Sequence, residues 1–237
     1  MEHEEYTRDN YPSFGKKYAG EKAIISLTSW KARINTVSKT LYSILKQCPG
    51  FHIVLVLSEE EFPKMMDEMP ANLKLFVKNN LIEVLWVYKN YKSFKKVLFT
   101  MDKYREVPVI SADDDCIYTC NYAEKLYLTW LKNKNRPISA SVYRKYGYVW
   151  THGQYTLYPP NCFKNVALRN TNLCFKLGFN DDAFIAGLYN KLKIDPIACE
   201  KIKLLFHTSV KPLSPKGNGT GYNAKKDISN FIKWIKL

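Results

Sequence analysis

Val107-Pro108-Val109-Ile110-Ser111-Ala112-Asp113-Asp114-Asp115 is the stretch on which the fold turns. A short apolar run ends there in three consecutive carboxylates, and a buried strand that ends in an acid cluster is a place to hold a metal. Carboxylate oxygens are hard ligands suited to Mg2+ or Mn2+, ions that usually keep open positions for the phosphate oxygens of a substrate. The triplet by itself reads equally well as an acidic turn or a helix cap, since Asp favours both. Its surroundings run the other way in charge: 36 Lys and Arg against 22 Asp and Glu give a formal +14. Such a balance attracts anions, among them nucleotides, nucleic acid and acidic membrane surfaces.

Upstream of the triplet, apolar runs alternate with helical patterns. Ala23 to Thr28 reads as a first strand, followed by the polar turn Ser29 to Arg33. Val37, Leu41, Ile44 and Leu45 then fall at helical spacing behind Asn35 or Thr36 as cap, with Pro49-Gly50 as the stop. Phe51 to Leu57 is a continuous buried strand, and Ser58 to Glu61 predicts the cap of a short acidic helix that tolerates Pro63. A further helical piece begins at Pro70, Ile82 to Val87 is a third strand, Ser93 to Tyr104 a helix and Val107 to Ser111 the fourth strand. This alternation implies an α/β domain with a mostly parallel sheet and helices on both faces. At 237 residues and 46% hydrophobic content the chain suits one such domain.

Ligands of open sheets bind at the carboxyl ends of the strands. Thr28, Ser29 and Arg33 leave the first such end and the triplet leaves the fourth, which raises the metal reading above that of a simple turn.

Downstream, Tyr122 to Lys134 reads as a helix and Pro137 to Tyr143 as a strand. Tyr146 to Cys162 is dense in aromatics, with Gly147, Gly153 and a Pro pair; a binding loop with stacking rings and a well-packed aromatic hairpin both fit it. Most of the 17 Tyr and 12 Phe belong to core and half-buried surface. Asn180-Asp181-Asp182 opens a helix with Phe184, Ile185 and Leu188 on one face, where acids also serve as ordinary caps. Leu204 to Phe206 is a late strand, and 210–222 is a loop rich in Gly, Pro, Ser and Lys. The chain closes on Ile228, Phe231, Ile232 and Ile235 beside Lys225, Lys226, Lys233 and Lys236, a basic amphipathic helix over 223–237 that suits either an anionic membrane surface or docking onto the domain.

Several classes lose their support. The chain carries no GxxxxGK[ST] phosphate loop, no GxGxxG after a strand, no HExxH and no GxSxG. Cys48, Cys116, Cys120, Cys162, Cys174 and Cys199 form no CxxC pair; Cys116 and Cys120 lack a second pair that would complete a zinc site. A reduced, cytoplasmic compartment is expected. No apolar run approaches the roughly 20 residues of a membrane span, and residues 1–21 read as a polar arm rather than a signal peptide.

Five landmarks carry a resemblance: Ile25 to Trp30 with Arg33 to Val37, Leu57 to Pro63, Ala112 to Asp115, Leu157 to Pro160, and Asn180 to Phe184. In this order the chain resembles the GT-A class of nucleotide-sugar-dependent glycosyltransferases, especially small bacterial enzymes that build surface polysaccharide or lipopolysaccharide. The resemblance covers about residues 23–190 and implies a GT-A, Rossmann-like single domain over 22–222. Its nucleotide-sugar-binding half is 22–120 and its acceptor-binding half 121–222.

The resemblance also implies roles. Asp113-Asp114-Asp115 looks like the DXD motif, with Asp115 and Asp113 as ligands of Mn2+ or Mg2+ and Asp113 and Asp114 towards the donor. Thr28, Ser29 and Arg33 look like the nucleotide loop, with Lys96 and, less directly, Lys95 as phosphate or base contacts. In inverting members an acid at the start of a later helix deprotonates the acceptor, a part that falls to Asp182 or Asp181. Two adjacent carboxylates raise each other's proton affinity, which helps a base. His207 stands where such enzymes place a C-terminal metal ligand, with His152 as its competitor. His152, Tyr155 and Tyr158 in the aromatic segment would face a glycan or lipid-linked glycan acceptor. The expected setting is cytoplasmic, or peripheral on the inner face of the plasma membrane, with no specific nucleic acid partner. The part after about residue 190 departs from the pattern and matches no motif. Two other readings stay open: a nucleotidyltransferase, which also uses clustered Asp and metals, and a basic RNA- or polysaccharide-binding module.

Overall fold

Strand β1 (Ile24–Thr28) lies inside the sheet, and its residues serve two cores at once. Successive side chains of a strand point to opposite faces. Ile25 and Leu27 join Val37, Leu41 and Ile44 of helix α1 (Val37–Gln47), Leu73 of α2 (Ala71–Lys78) and Leu126 of α4 (Tyr122–Leu131). Ile24 faces the other way, into a core with Val97 and Leu98 of α3 (Lys95–Lys103), Phe184 and Leu188 of α6 (Asp181–Leu192) and Phe231 of α7 (Ala224–Trp234). A one-turn helix α5 (Val166–Arg169) adds Val166 and Ala167 to this second core. The computed structural model describes residues 22–47, 50–119, 121–164, 166–173, 180–206 and 224–234.

The main sheet has seven strands in the order β10-β6-β9-β4-β1-β2-β3. Strands β1, β2 (His52–Ser58), β3 (Glu83–Val87) and β4 (Val109–Ser111) are mutually parallel. Across β4 lies β9 (Thr156–Tyr158), which runs antiparallel both to β4 and to β6 (Ile138–Ser139); β10 (Ile197–Ala198) then pairs parallel with β6. The α/β architecture read from the sequence, a mostly parallel sheet covered on both faces, is the one observed, and it is consistent with a GT-A, Rossmann-like domain. Outside the sheet, β5 (Cys116–Tyr118) pairs with β11 (Leu204–Phe206), and β7 (Val142–Lys145) with β8 (Tyr148–Thr151).

Two local readings need correction. The acidic helix expected from Ser58 is a run of turns leading into a single 3₁₀ turn at Met65–Glu68. Glu61 accepts from the Ser58 hydroxyl at 3.2 Å and from buried Lys95 at 3.1 Å, so its side chain is drawn inward where a helix would carry it outward. The strand over Pro137 to Tyr143 breaks at Ala140-Ser141 into β6 and β7. The second piece turns back at Tyr146 and Gly147, both at positive φ (56° and 83°), the combination a two-residue type I′ hairpin demands. The first part of the aromatic segment is therefore a hairpin, with Tyr143 stacked on Trp150.

Helix α7 docks onto the domain. Phe231 is fully buried, its ring 5.0 Å from that of Phe184, and a Cβ at Gly187 would meet it at 2.2 Å, so only glycine lets α6 approach so closely. At the rim of the sheet away from the acid cluster, Glu83 accepts hydrogen bonds from Lys103 and Tyr104 and lies 3.0 Å from His52 Nε2. Burial pushes its carboxyl up, but these three partners outweigh burial and bring it down to about 2. Among the described residues no helix is long and apolar enough to cross a membrane. The N-terminal arm, the 210–222 loop and His207 lie outside the described residues.

Candidate active site

Leaving β4, the chain bonds Ala112 N–H to the Ser26 carbonyl at 2.8 Å and then turns through the acids into β5. The central acid points inward. Asp114 is buried, with Oδ2 accepting from the Ser29 hydroxyl and Oδ1 from Arg33 Nη1, each at 2.7 Å. Thr40 of α1 holds the turn from behind, its hydroxyl donating to the carbonyls of Asp114 (2.9 Å) and Cys116 (2.8 Å). Burial raises the proton affinity of Asp114 more than Arg33 and Ser29 lower it. For Arg33 burial acts against the charge, and Asp114, Asp115 and Asp113 together more than restore it. The loop after β1 thus grips the acid cluster directly, and Arg33 also reaches Asp115 Oδ2 at 3.0 Å. The Thr28 hydroxyl is turned to the neighbouring strand, donating to the Val56 carbonyl at 2.7 Å.

The outer acids behave differently, since the side chains of Asp113 and Asp115 remain 31% and 28% exposed. Asp113 accepts a hydrogen bond from Lys96 of α3, whose ammonium also lies 3.4 Å from Asp181 Oδ2. Lys96 is itself only 4% exposed. Burial disfavours its charge, but Asp113 and Asp181 overcome this and hold it firmly protonated. Lys95, the adjacent residue, turns away to Glu61 and to Asn90 Oδ1 (3.0 Å).

Helix α6 begins at this point because Asn180 caps it, its side chain accepting from Ala183 N–H at 2.9 Å. The two acids of the first turn then face the rim. Burial, with the charges of Asp182 and Asp113, pushes the Asp181 carboxyl up to about 6 although Lys96 and Ser93 oppose it. Asp182 Oδ1 accepts from Gly153 N–H at 3.0 Å, and Oδ2 lies 3.5 Å from His152 Nδ1. A Cβ at Gly153 would sit 3.1 Å from Lys96 Nζ and 3.4 Å from Asp181 Oδ2, so a side chain here would crowd the ends of both, and glycine lets the loop close over the carboxylates without displacing them. The His152 ring has Tyr143 at 5.2 Å and Tyr155 at 6.2 Å. Its contact with Asp182 raises its proton affinity above the ordinary value, against the effect of burial. Tyr158 is 1% exposed and packs against Phe163, within electrostatic reach of Asp182, Lys96 and Asp181, so it lies beneath the rim and not on its surface.

The structure therefore assembles Ser29, Arg33, Lys96, Asp113, Asp114, Asp115, Asp181, Asp182, His152 and Tyr155 at one rim. The Thr28 hydroxyl is given to the neighbouring strand, and Tyr158 lies buried beneath the rim. Two contributors escaped the sequence reading: Gly153, and Tyr118, whose hydroxyl accepts from Asp113 N–H (2.8 Å) and donates to the Gln154 carbonyl (2.9 Å). The glycine beside His152 was a visible signal; nothing in the sequence marks Tyr118.

The donor chemistry fits a hard divalent ion, with two half-exposed carboxylates, Asp113 and Asp115, on either side of a buried third. Among the described residues no group of three His, Cys, Asp or Glu side chains is gathered as a ready-made metal cage. Such an ion would rest on these two and on oxygens of its substrate.

No family model matches this chain. No curated protein matches it either. Among solved structures it is similar to GalNAc-T7 with UDP, GalNAc and Mn2+ (16% identity, TM-score 0.40), covering 52% of this chain and 23% of that one. It is also similar to the mannosyltransferase PcManGT from Pyrobaculum calidifontis in complex with GDP-Man and Mn2+ (13% identity, TM-score 0.49), covering 77% of this chain and 59% of that one. The chain thus spans less than two thirds of either protein.

Proposed function

We propose that this chain is a metal-dependent glycosyltransferase that moves a sugar from a nucleoside-diphosphate donor to a hydroxyl of a glycan or lipid-linked glycan, with inversion at the anomeric carbon. The observation that carries this reading is Lys96, one buried ammonium that contacts both Asp113 of the strand-end cluster and Asp181 of the α6 start. A donor-binding element and an acceptor-activating element are useful only side by side, and this lysine ties the two together.

In this reading Asp113 and Asp115 hold Mn2+ or Mg2+, which supplies Lewis-acid neutralisation of the departing diphosphate. Ser29 and Arg33 fix Asp114 so that the outer carboxylates are presented at a constant angle, an arrangement that favours pre-organised charge stabilisation. The acceptor proton is drawn off at the Asp181–Asp182 pair at the start of α6, where burial and the charge of its neighbour raise the proton affinity of Asp181. Tyr143 and Tyr155 offer ring faces to a sugar. The landmarks shared with bacterial surface-polysaccharide enzymes support a role in that biosynthesis, on the cytoplasmic side and with peripheral contact to anionic lipid. The donor half falls within 22–120 and the acceptor half within 121–222.

A panel of nucleoside-diphosphate sugars with Mn2+, read by thermal shift and by release of nucleoside diphosphate, tests this. At least one donor should stabilise the protein and be turned over, and chelator or Asp115→Ala should abolish turnover while the folded signal stays. Full activity in Asp115→Ala or in saturating chelator removes the metal mechanism, and salt-sensitive binding of nucleic acid with no donor response favours a binding module instead.

A further inference from the structure

We propose that His152, oriented by Asp182, is the group that takes the proton from the acceptor hydroxyl, so that the acid pair acts through an imidazole and not directly. This rests on the glycosyl-transfer reading above and names the residue that meets the acceptor.

Both oxygens of Asp182 are engaged, Oδ1 by Gly153 N–H at 3.0 Å and Oδ2 by His152 Nδ1 at 3.5 Å. Asp181 faces inward to Lys96 at 3.4 Å and is hydrogen-bonded by Ser93. The His152 side chain is 38% accessible, more than that of Asp182 at 29% or Asp181 at 22%.

The His152 carbonyl accepts from Tyr155 N–H at 3.3 Å and from the Thr156 hydroxyl at 2.7 Å, which pins the loop to β9. A base must be held in place to act, and an imidazole with a carboxylate on Nδ1 carries its hydrogen there and keeps the Nε2 lone pair available. The titratable and charged groups around the ring are Asp182 of α6, Asp113 at the end of β4, Tyr143 of β7 and Tyr155 of its own loop.

The acceptor oxygen forms a bond to the anomeric carbon as the bond from that carbon to the diphosphate oxygen breaks, its electron pair leaving with the diphosphate. The hydroxyl proton passes to His152 Nε2, and the resulting imidazolium is held by Asp182 until it gives the proton to water. Asp182 is thus a positioning residue and His152 the catalytic one.

Two measurements decide this. With the donor found above at saturation, His152→Ala and His152→Gln should each lower kcat by about 10²- to 10⁴-fold with donor KM unchanged. Asp182→Asn should lower kcat less and shift the acidic limb of the kcat profile to lower pH, because the pair holds the imidazole proton more tightly. If His152→Ala keeps wild-type kcat while Asp182→Asn abolishes it, the carboxylate acts directly and the proposal falls. Proton NMR titration of the imidazoles needs no substrate; with 4 His in the chain, His152 is identified by the resonance missing in His152→Ala. Its midpoint should drop in Asp182→Asn, and an unchanged midpoint removes the pairing on which the proposal stands. Intact pairing without turnover of any donor overturns the transferase reading, and with it the role assigned to the imidazole.

Discussion

Arg33 Nη1 and Asp114 Oδ1 meet at 2.7 Å with each side chain only 7% exposed, a fully enclosed ion pair between the loop after β1 and the turn after β4. Removing one partner of such a pair leaves an uncompensated buried charge, at a cost of about 3–5 kcal/mol. Arg33 would still have Asp115 at 3.0 Å without Asp114, so the pair is tested from the other side: Arg33→Met, which takes away the cation in contact with buried Asp114, should lower unfolding free energy by about that amount in urea titration, and the double variant Arg33→Met, Asp114→Leu should recover much of the loss. A cost under about 1 kcal/mol for Arg33→Met would return Asp114 to the donor-facing role its place in the triplet first suggests.

Gly153→Ala probes the closed loop at the other end of the rim. The added methyl would press on Lys96 Nζ and Asp181 Oδ2, the ends of flexible side chains, so stability should change by no more than about 1–3 kcal/mol. The displaced carboxylates should nonetheless lower transfer rate by about 10²-fold, the usual effect of misplacing reacting groups by an ångström. Unchanged turnover in Gly153→Ala would show that the loop need not approach α6 so closely.

Asp181 gives stability an unusual pH dependence. Its carboxyl is pushed from the ordinary 3.8 up to about 6 by burial first and by its acidic neighbours second. The folded state therefore binds the proton more tightly than the unfolded chain. This contribution is fully present below pH 3.8 and is lost as pH rises through about 6, amounting to about 3 kcal/mol for a shift of this size. Asp181→Asn removes the ionisation, so its stability relative to wild type should improve steadily between those limits when urea midpoints are compared. A parallel pair of profiles would place the Asp181 carboxyl in the ordinary range.

Glu83 should behave in the opposite sense. Held at about 2 by His52, Lys103 and Tyr104 after overcoming burial, it stabilises the fold above the ordinary 4.5 and loses that effect as pH falls towards 2. Glu83→Gln should cost about 3 kcal/mol at neutral pH. The two profiles should converge only as pH approaches about 2, with kcat untouched because the cluster sits away from the acid rim.

Much of this was legible because the signals are local. The alternation that places β1 to β4, the acids directly after Ser111, and the Asn180 cap are all written within a few residues of where they act. Partnerships formed across long separations were not. Ser29 and Arg33 read as nucleotide contacts, yet the structure gives their polar ends to Asp114. Lys96 reads as a phosphate or base contact, and only the docking of α3 against the rim makes it a bridge between two carboxylates. The Ser58 to Glu61 reading failed for the same reason, since the partner that draws Glu61 inward, Lys95, lies on another element. Strand β9 is three residues long, too short for its direction to be read from periodicity.

That short strand decides how the protein divides its labour. Because β9 runs against β4, Thr156 lies beside Ser111, and the four residues before it emerge at the end where the parallel strands finish. A chain segment far downstream is thereby delivered to the rim built by the first hundred residues, without either disturbing the other's core. The place of His152 and Gly153 beside Asp182 is thereby set by the pairing of β9 with β4, so any slip in that register would carry both away from the carboxylates together.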